Sequence, residues 1–230
     1  MRHSIGVVAS LLCAGAIGWG TTARAQEAEY FQSGIPAPRD AFELKLGTEY
    51  TQGFGVLTPG QNIRDVAGAG IGFDLDMDYR VDPRWSVGLQ GEYQEFENNT
   101  TANSAARGLA GNLGLTYHFA PTYRGDPWLR FGTGYRLFWN VDPVGGAPTT
   151  LIHGFELGKV TLGYDVRVDP NVAIAPMIGA DADMFVWQDQ NGANTALSAV
   201  RFGTFLFGGV QGRFDIGPTT ATESTLAKRQ

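Results

Sequence analysis

From residue 41 onward the chain alternates apolar and polar residues with a period of two. In the longest run, Ala67, Ala69, Ile71, Phe73, Leu75, Met77, Tyr79 and Val81 hold one parity, and Gly68, Gly70, Gly72, Asp74, Asp76, Asp78 and Arg80 the other. A helix would spread those aspartates around its circumference, whereas a strand gathers them on one face. Segments 42–51, 85–95, 108–119, 129–139, 160–168, 172–186 and 200–216 alternate in the same way, so eight strands are predicted. Phe155 and Leu157 are apolar on the odd parity, but Val160 begins an even one, which predicts a bulge near Gly158. Pro176 falls inside the seventh strand, cannot donate to a ladder, and should mark a second irregularity.

The connections alternate in length. The links Asp82-Pro83-Arg84, Ala120 to Pro127 and Asp169-Pro170-Asn171 are compact, and two of them follow Arg-Val. The links Gln52–Asp65, Glu97–Ala106, Asn140–His153 and Gln188–Ala199 are longer and polar. Short turns therefore share one end of the sheet and long loops the other. With an even strand count, both ends of the sheet lie at the short-turn end. The repeated Arg-Val-Asp-Pro reads as shared turn chemistry, the proline fixing φ.

Residues 1–25 do not belong to this pattern. Arg2 and His3 precede an uncharged apolar stretch from Ile5 to Trp19, and Ala23-Arg24-Ala25 stands before Gln26. This is the grammar of a cleaved secretory signal peptide. A retained membrane helix is disfavoured by the short apolar core. A lipoprotein signal ending at Cys13 is disfavoured by Leu11-Leu12 before it. Residues 26–40 form a polar, proline-containing lead, 41–216 the strands, and 217–230 a polar tail. Cys13 is the single cysteine, so the processed chain has no disulfide, thiolate nucleophile or cysteine-ligated metal.

Eight alternating strands fit two opposite objects, a soluble carrier with an apolar interior or a transmembrane barrel with an apolar exterior. Three features decide. The polar parity is rich in glycine and mixes signs: Glu43, Glu49, Asp74, Asp76, Asp78, Glu92, Asp165, Asp181, Asp183 and Asp215 against Lys45, Arg80, Arg130, Arg136, Lys159, Arg167, Arg201 and Arg213. Near balance suits a confined interior, where an unpaired charge costs several kcal/mol. Arginine dominates, and only 3 residues in the chain, at 45, 159 and 228, are lysine, unlike a solvated face. Aromatics gather near strand ends on the apolar parity, with Trp85, Tyr93, Tyr117, Phe119 and Trp139 expected as interfacial girdles. The processed chain also has no apolar run of 18 residues, so it has no membrane helix. The predicted fold is an all-β, eight-stranded antiparallel up-and-down transmembrane barrel. Its interior should hold the charged residues just named as a structural network. A lipocalin-like secreted carrier or sandwich is the soluble alternative; it would want a lysine-rich exterior, and a lipocalin would follow its last strand with a helix.

With the leader, the Arg-Val-Asp-Pro turns and the Trp85-Ser-Val-Gly-Leu-Gln-Gly-Glu-Tyr93 strand, residues 41–216 resemble the small outer-membrane β-barrel proteins of Gram-negative bacteria, of the OmpA type without a periplasmic domain. The resemblance implies a location in the outer membrane, contact with its lipid, and insertion by the barrel-assembly machinery. Phe214 and Ile216 resemble the aromatic assembly signal of such proteins, with the departure that a polar tail follows. It also implies a monomer with its long loops outward, each free to meet a ligand that the residues do not name.

Composition narrows the chemistry. The net charge is −6, charged residues make up 17% and aromatics 12%. An acidic chain without a basic stripe is not built for nucleic acid. A barrel-type lipid A deacylase uses a His-x-Ser pair; here the histidines read His118-Phe-Ala and His153-Gly-Phe. An omptin-like protease needs an Asp–His pair, which His153 with Asp181 or Asp183 would have to supply across the rim of a barrel with too few strands. Asp74, Asp76 and Asp78 together suggest a divalent-cation site, but neutralisation by arginine across the strands is the preferred reading. No catalytic residue, cofactor or metal is expected. Eight strands leave room only for side chains. The expected role is structural or surface interaction, with a narrow channel for small solutes as the alternative and an outer-membrane hydrolase behind it.

Overall fold

A computed structural model describes residues 40–58, 61–98, 105–141, 150–190 and 192–217, with Gly34, Ala37 and Pro38. The leader and most of the lead and of the tail lie outside these residues. Eight long strands follow one another: β1 (Ala41–Thr58), β2 (Ala67–Asp82), β3 (Trp85–Asn98), β4 (Ala105–His118), β5 (Gly125–Val141), β6 (Thr150–Asp169), β7 (Val172–Gln190) and β8 (Ala193–Ile216). Each pairs antiparallel with its neighbours in sequence, and β1 pairs with β8 from Phe42↔Ile216 to Gly55↔Gly203, which closes the ring. Closure matters because it leaves no unpaired edge, the condition for strands in hydrocarbon. Among the described residues no helix is long and apolar enough to cross a membrane.

The alternation resolves into two faces. Phe73, Leu75 and Leu113 point outward at 56%, 43% and 56% exposure, whereas Asp76 and Arg136 are 2% and 0% exposed. The polar groups meet across the inside: Arg130 on β5 bonds Asp78 on β2, and Lys159 on β6 bonds Glu92 on β3. The apolar side chains thus form the outer wall and the charges fill the lumen, the reverse of a soluble carrier.

The repeated turns show why their residues recur. Arg80 donates to the Pro83 carbonyl at 2.8 Å, and Arg167 to that of Pro170 at 3.1 Å. Asp82 accepts from the backbone N–H groups of Arg84 and Trp85, and Asp169 from that of Asn171. One motif therefore closes the hairpin and anchors a lumenal arginine. The β6 bulge is where the parity break placed it. The register to β7 slips between Glu156 and Gly158, and that to β5 between Gly132 and Gly134. The slip lets Glu156 and Lys159 both face inward. Around Pro176 the β6–β7 ladder omits two pairs between Gly163↔Met177 and Val166↔Ile174, while pairing to β8 continues.

The long loops are shorter than expected. Strand pairing continues through Trp187↔Ala196 to Gln190↔Ala193, so most of the predicted loop 188–199 is a hairpin that extends the wall, its β7 arm still paired with β6 from His153↔Trp187 to Thr150↔Gln190. Its Asn191-Gly192 sequence is the usual signal for a two-residue turn, and Gly192 has φ +79°. Between β1 and β2 a short helix, α1 (Ile63–Val66), folds over the mouth; Asp65 accepts from the backbone N–H of Asn62 at 2.8 Å and starts it. Ile63 and Val66 are buried beneath it.

Candidate functional site

The lumen has two differently filled halves. Toward the short turns, Arg80 pairs with Glu43, which also accepts from Ser86 at 3.2 Å. Arg80 lies 3.0 Å from His118 Nε2, and His118 Nδ1 is 2.8 Å from Asp126. Asp165 pairs with Arg213 and accepts from Trp128 Nε1 at 3.0 Å, and Asp215 meets Arg167 at 2.8 Å and Arg213 at 3.3 Å. One layer higher, Lys45 and Arg130 both reach Asp78 at 2.6 Å. Gly114 makes room for Arg130, since a Cβ there would sit 2.6 Å from its Nε.

Toward the long loops the pattern changes. Arg136 faces four acids, Asp181 at 2.7 Å, Asp183 at 3.0 Å, Glu156 at 3.3 Å and Glu92 at 3.8 Å, of which Glu92 is also held by Lys159. Its guanidinium also donates to Gln94 Oε1 at 2.8 Å and lies 4.4 Å from the Phe205 ring centre. Phe205 belongs to an apolar plug with Leu57, Ile63, Val66, Phe96, Phe138 and Phe185. The rings of Phe96, Phe138 and Phe205 are 5.7–6.2 Å apart. The plug sits directly under α1, so hydrocarbon fills the described mouth and ion pairs fill the shaft below it.

Seventeen of the eighteen charged residues assigned to the interior from the sequence are buried: Glu43, Lys45, Glu49, Asp74, Asp76, Asp78, Arg80, Glu92, Arg130, Arg136, Lys159, Asp165, Arg167, Asp181, Asp183, Arg213 and Asp215. Arg201 is half-buried near the mouth, opposite Phe185. Sequence reasoning left out Asp126, His118 as its partner, Glu156 and the inward phenylalanines. Parity carried the signal for Phe138, Phe205 and Phe96, which follow Arg136, precede Arg213 and follow Gln94 at even spacing. Among the described residues, twelve carboxylates but seven lysines and arginines are buried. The expected near balance is thus an acidic excess, because Asp126 and Glu156 turn inward and Arg201 stands at the rim.

The aromatic residues on the outer wall form two groups. Near the short turns, Trp85 packs on Tyr117 at 4.7 Å and Tyr117 on Phe119 at 5.0 Å. At the other end of the strands Tyr93 donates to Glu95 at 2.8 Å, and Trp139 is half-buried. Beside them Tyr135 bonds His153, whose ring stacks on Trp187 at 5.6 Å. His153 is therefore outside the wall, and Asp181 and Asp183 are inside it on Arg136. The Asp–His pair that a protease reading needs is not formed.

The likeness of this chain to known proteins is one of shape. No protein-family model and no curated protein sequence matches the chain. Among solved structures, the outer membrane protein AlkL in lipid bilayers aligns with a TM-score of 0.54 and 13% identity, covering 80% of this chain and 94% of that one. The outer membrane protein OprG from Pseudomonas aeruginosa aligns with a TM-score of 0.51 and 9% identity, covering 80% and 99%. The chain folds as a small eight-stranded outer-membrane β-barrel. At these identities the likeness extends to architecture, and the residues filling this barrel have to be read from its own geometry.

Proposed function

We propose that this outer-membrane barrel is a closed, non-catalytic scaffold that acts through its long-loop end. On this reading residues 1–25 direct export, the barrel-assembly machinery inserts strands 41–216 as a monomer, and the short turns face the periplasm. The observation that carries it is the double closure of the lumen. A cluster of phenylalanines under α1 blocks the mouth, and cross-barrel ion pairs fill the shaft. Among the described residues, the rim and the hairpin from Trp187 to Ala196 are placed for contact with the outside.

The test is conductance of the refolded protein in a planar bilayer, together with fractionation and cold-versus-boiled gel migration. The expected result is outer-membrane, heat-modifiable protein without resolved current steps. Steady single-channel steps would transfer the case to the narrow-channel reading, and recovery in the soluble fraction without detergent would overturn both.

A further inference from the structure

Two lumenal carboxylates, Glu49 and Asp74, stand outside the ion pairs described above and cluster with a third, Glu92, that Lys159 holds. Glu49 on β1, Asp74 on β2 and Glu92 on β3 each bring an oxygen within 4.8 Å of the other two. All three are buried, Asp74 at 4% exposure and Glu49 at 3%. Neither oxygen of Asp74 has a hydrogen-bond partner, nor does Glu49 Oε2. This differs from Asp78 two turns of the pleat away, which holds both Lys45 and Arg130. The row Asp74-Leu-Asp-Met-Asp78 therefore splits: its last member is neutralised by cations on other strands, and its first is turned toward two further acids.

The backbone makes space for this grouping. Register pairs Glu49 with Gly72 and Asp74 with Gly47, so each carboxylate stands opposite a glycine. A Cβ on Gly72 would lie 2.8 Å from Glu49 Oε1, and one on Gly47 would lie 3.2 Å from Asp74 Oδ2. Charge completes the argument. Lys159 is bound to Glu92, and Arg136 is drawn to Asp181, Asp183 and Glu156. Lys159, with Arg136 at 3.8 Å from Glu92 but shared among three other acids, leaves this buried cluster with an excess of negative charge, which is costly where it is uncompensated.

We propose that Glu49, Asp74 and Glu92 form a binding site for one hard divalent cation inside the barrel. All donors are carboxylate oxygens, the ligand set of Ca²⁺ and Mg²⁺ rather than of zinc or copper. A cage of three protein carboxylates suits Ca²⁺, which takes several carboxylate ligands in flexible geometry, better than Mg²⁺, which demands a near-ideal octahedron and usually keeps several of its waters. The ion ties three adjacent strands, β1, β2 and β3, next to the seam where β1 closes on β8. Its role is to lock the barrel wall and to offset part of the lumenal acid excess.

The experiment refolds the full processed chain in lipopolysaccharide-free detergent with Ca²⁺ or Mg²⁺, removes free ion by gel filtration, and measures bound metal by elemental analysis. Heat-modifiability is followed with and without EDTA. The wild-type barrel should retain about one Ca²⁺ per chain, prefer it to Mg²⁺, and lose its boiled-to-cold gel shift at a temperature several degrees lower after EDTA. Asp74→Asn and Glu49→Gln should abolish retention and remove the EDTA effect, while Asp183→Asn keeps both. The wild-type measurement stands even where a variant fails to fold. No retained metal and no EDTA effect in wild type would mean that protons alone neutralise the cluster, and would overturn the site. So would equal metal in wild type and Asp74→Asn.

Discussion

The two halves of the lumen carry the same alternation and solve different problems with it. Near the short turns each acid is shared between donors: Asp165 between Arg213 and Trp128, Asp215 between Arg167 and Arg213, and Asp78 between Lys45 and Arg130. Near the long loops one arginine serves four acids, and rings replace ions above it. Burying ion pairs is expensive unless every lone pair is met. The lower half offsets that cost by redundancy, spreading its acids over several donors. The upper half concentrates charge on Arg136 and fills the volume above it with phenylalanine.

That difference predicts unequal costs for equal chemistry. Arg136→Met should be the most damaging lumenal change, about 3–5 kcal/mol, because it strands buried carboxylates without a partner. Among the described residues, Asp183 would lose its ion pair, while Asp181 would keep the Phe205 N–H at 2.9 Å. Arg213→Met should cost clearly less, since Trp128 still bonds Asp165 and Arg167 still holds Asp215. Urea midpoints of the two variants, refolded in the same detergent, measure the gap. Equal midpoints would erase the distinction between the halves.

The plug supplies the next test. Phe138→Ala removes a fully buried ring that touches Phe96 and Phe205, and a core phenylalanine truncation costs about 3–5 kcal/mol when the cavity cannot collapse. The ring sits in a rigid wall but under the short, separately folded α1, so collapse of the helix onto the gap should bring the cost to the low end. Current in a planar bilayer separates two consequences. If the ion-pair shaft closes the lumen by itself, the variant stays silent. If the plug is the seal, Phe138→Ala opens steps that wild type lacks.

A change on the outer wall provides the external standard for both. Leu89 is 58% exposed and Gln90 is 6% exposed. Arginine facing hydrocarbon near mid-bilayer costs about 2–4 kcal/mol, so Leu89→Arg should lower the yield of heat-modifiable barrel. Gln90→Arg, which enters an acidic lumen, should be milder. The reverse order would mean that the two faces are exchanged.

How much of this was legible in the residues follows from what period two can encode. It separates wall from lumen, because parity is local and the Asp74-Leu75-Asp76 run allows one answer. It also located the β6 slip, since Leu157 and Val160 cannot share a face without an extra residue. It does not say which lumenal groups meet, because Arg130 finds Asp78, 52 positions away, across the barrel. Nor did it separate apolar wall from apolar plug. Phe205 and Phe138 look like lipid-facing residues until their parity is checked against Arg213 and Arg136. Asp126 was hidden for a different reason: Pro127 and the compact link read as turn, although β5 already begins at Gly125.

The smallest expected effect probes the lower half at its least charged link. His118 is fully buried between Arg80 and Asp126. Its neutral ring can accept from Arg80 at Nε2 and donate to Asp126 from Nδ1, which joins the Glu43–Arg80 pair to the turn after β4. Asp126 continues the chain by accepting from the Ala120 N–H at 2.8 Å. His118→Gln keeps one acceptor and one donor of similar reach, so it should cost only about 1 kcal/mol, the net worth of an ordinary buried hydrogen bond. His118→Leu leaves Asp126 without its side-chain donor and one Arg80 N–H without an acceptor, and should cost about 2–3 kcal/mol. A ranking of glutamine above leucine in urea midpoint, with both above Arg136→Met, places His118 as a relay in a redundant network. Loss of the fold with glutamine would instead make this histidine the keystone of the short-turn end, and the redundancy assigned to that half would fail.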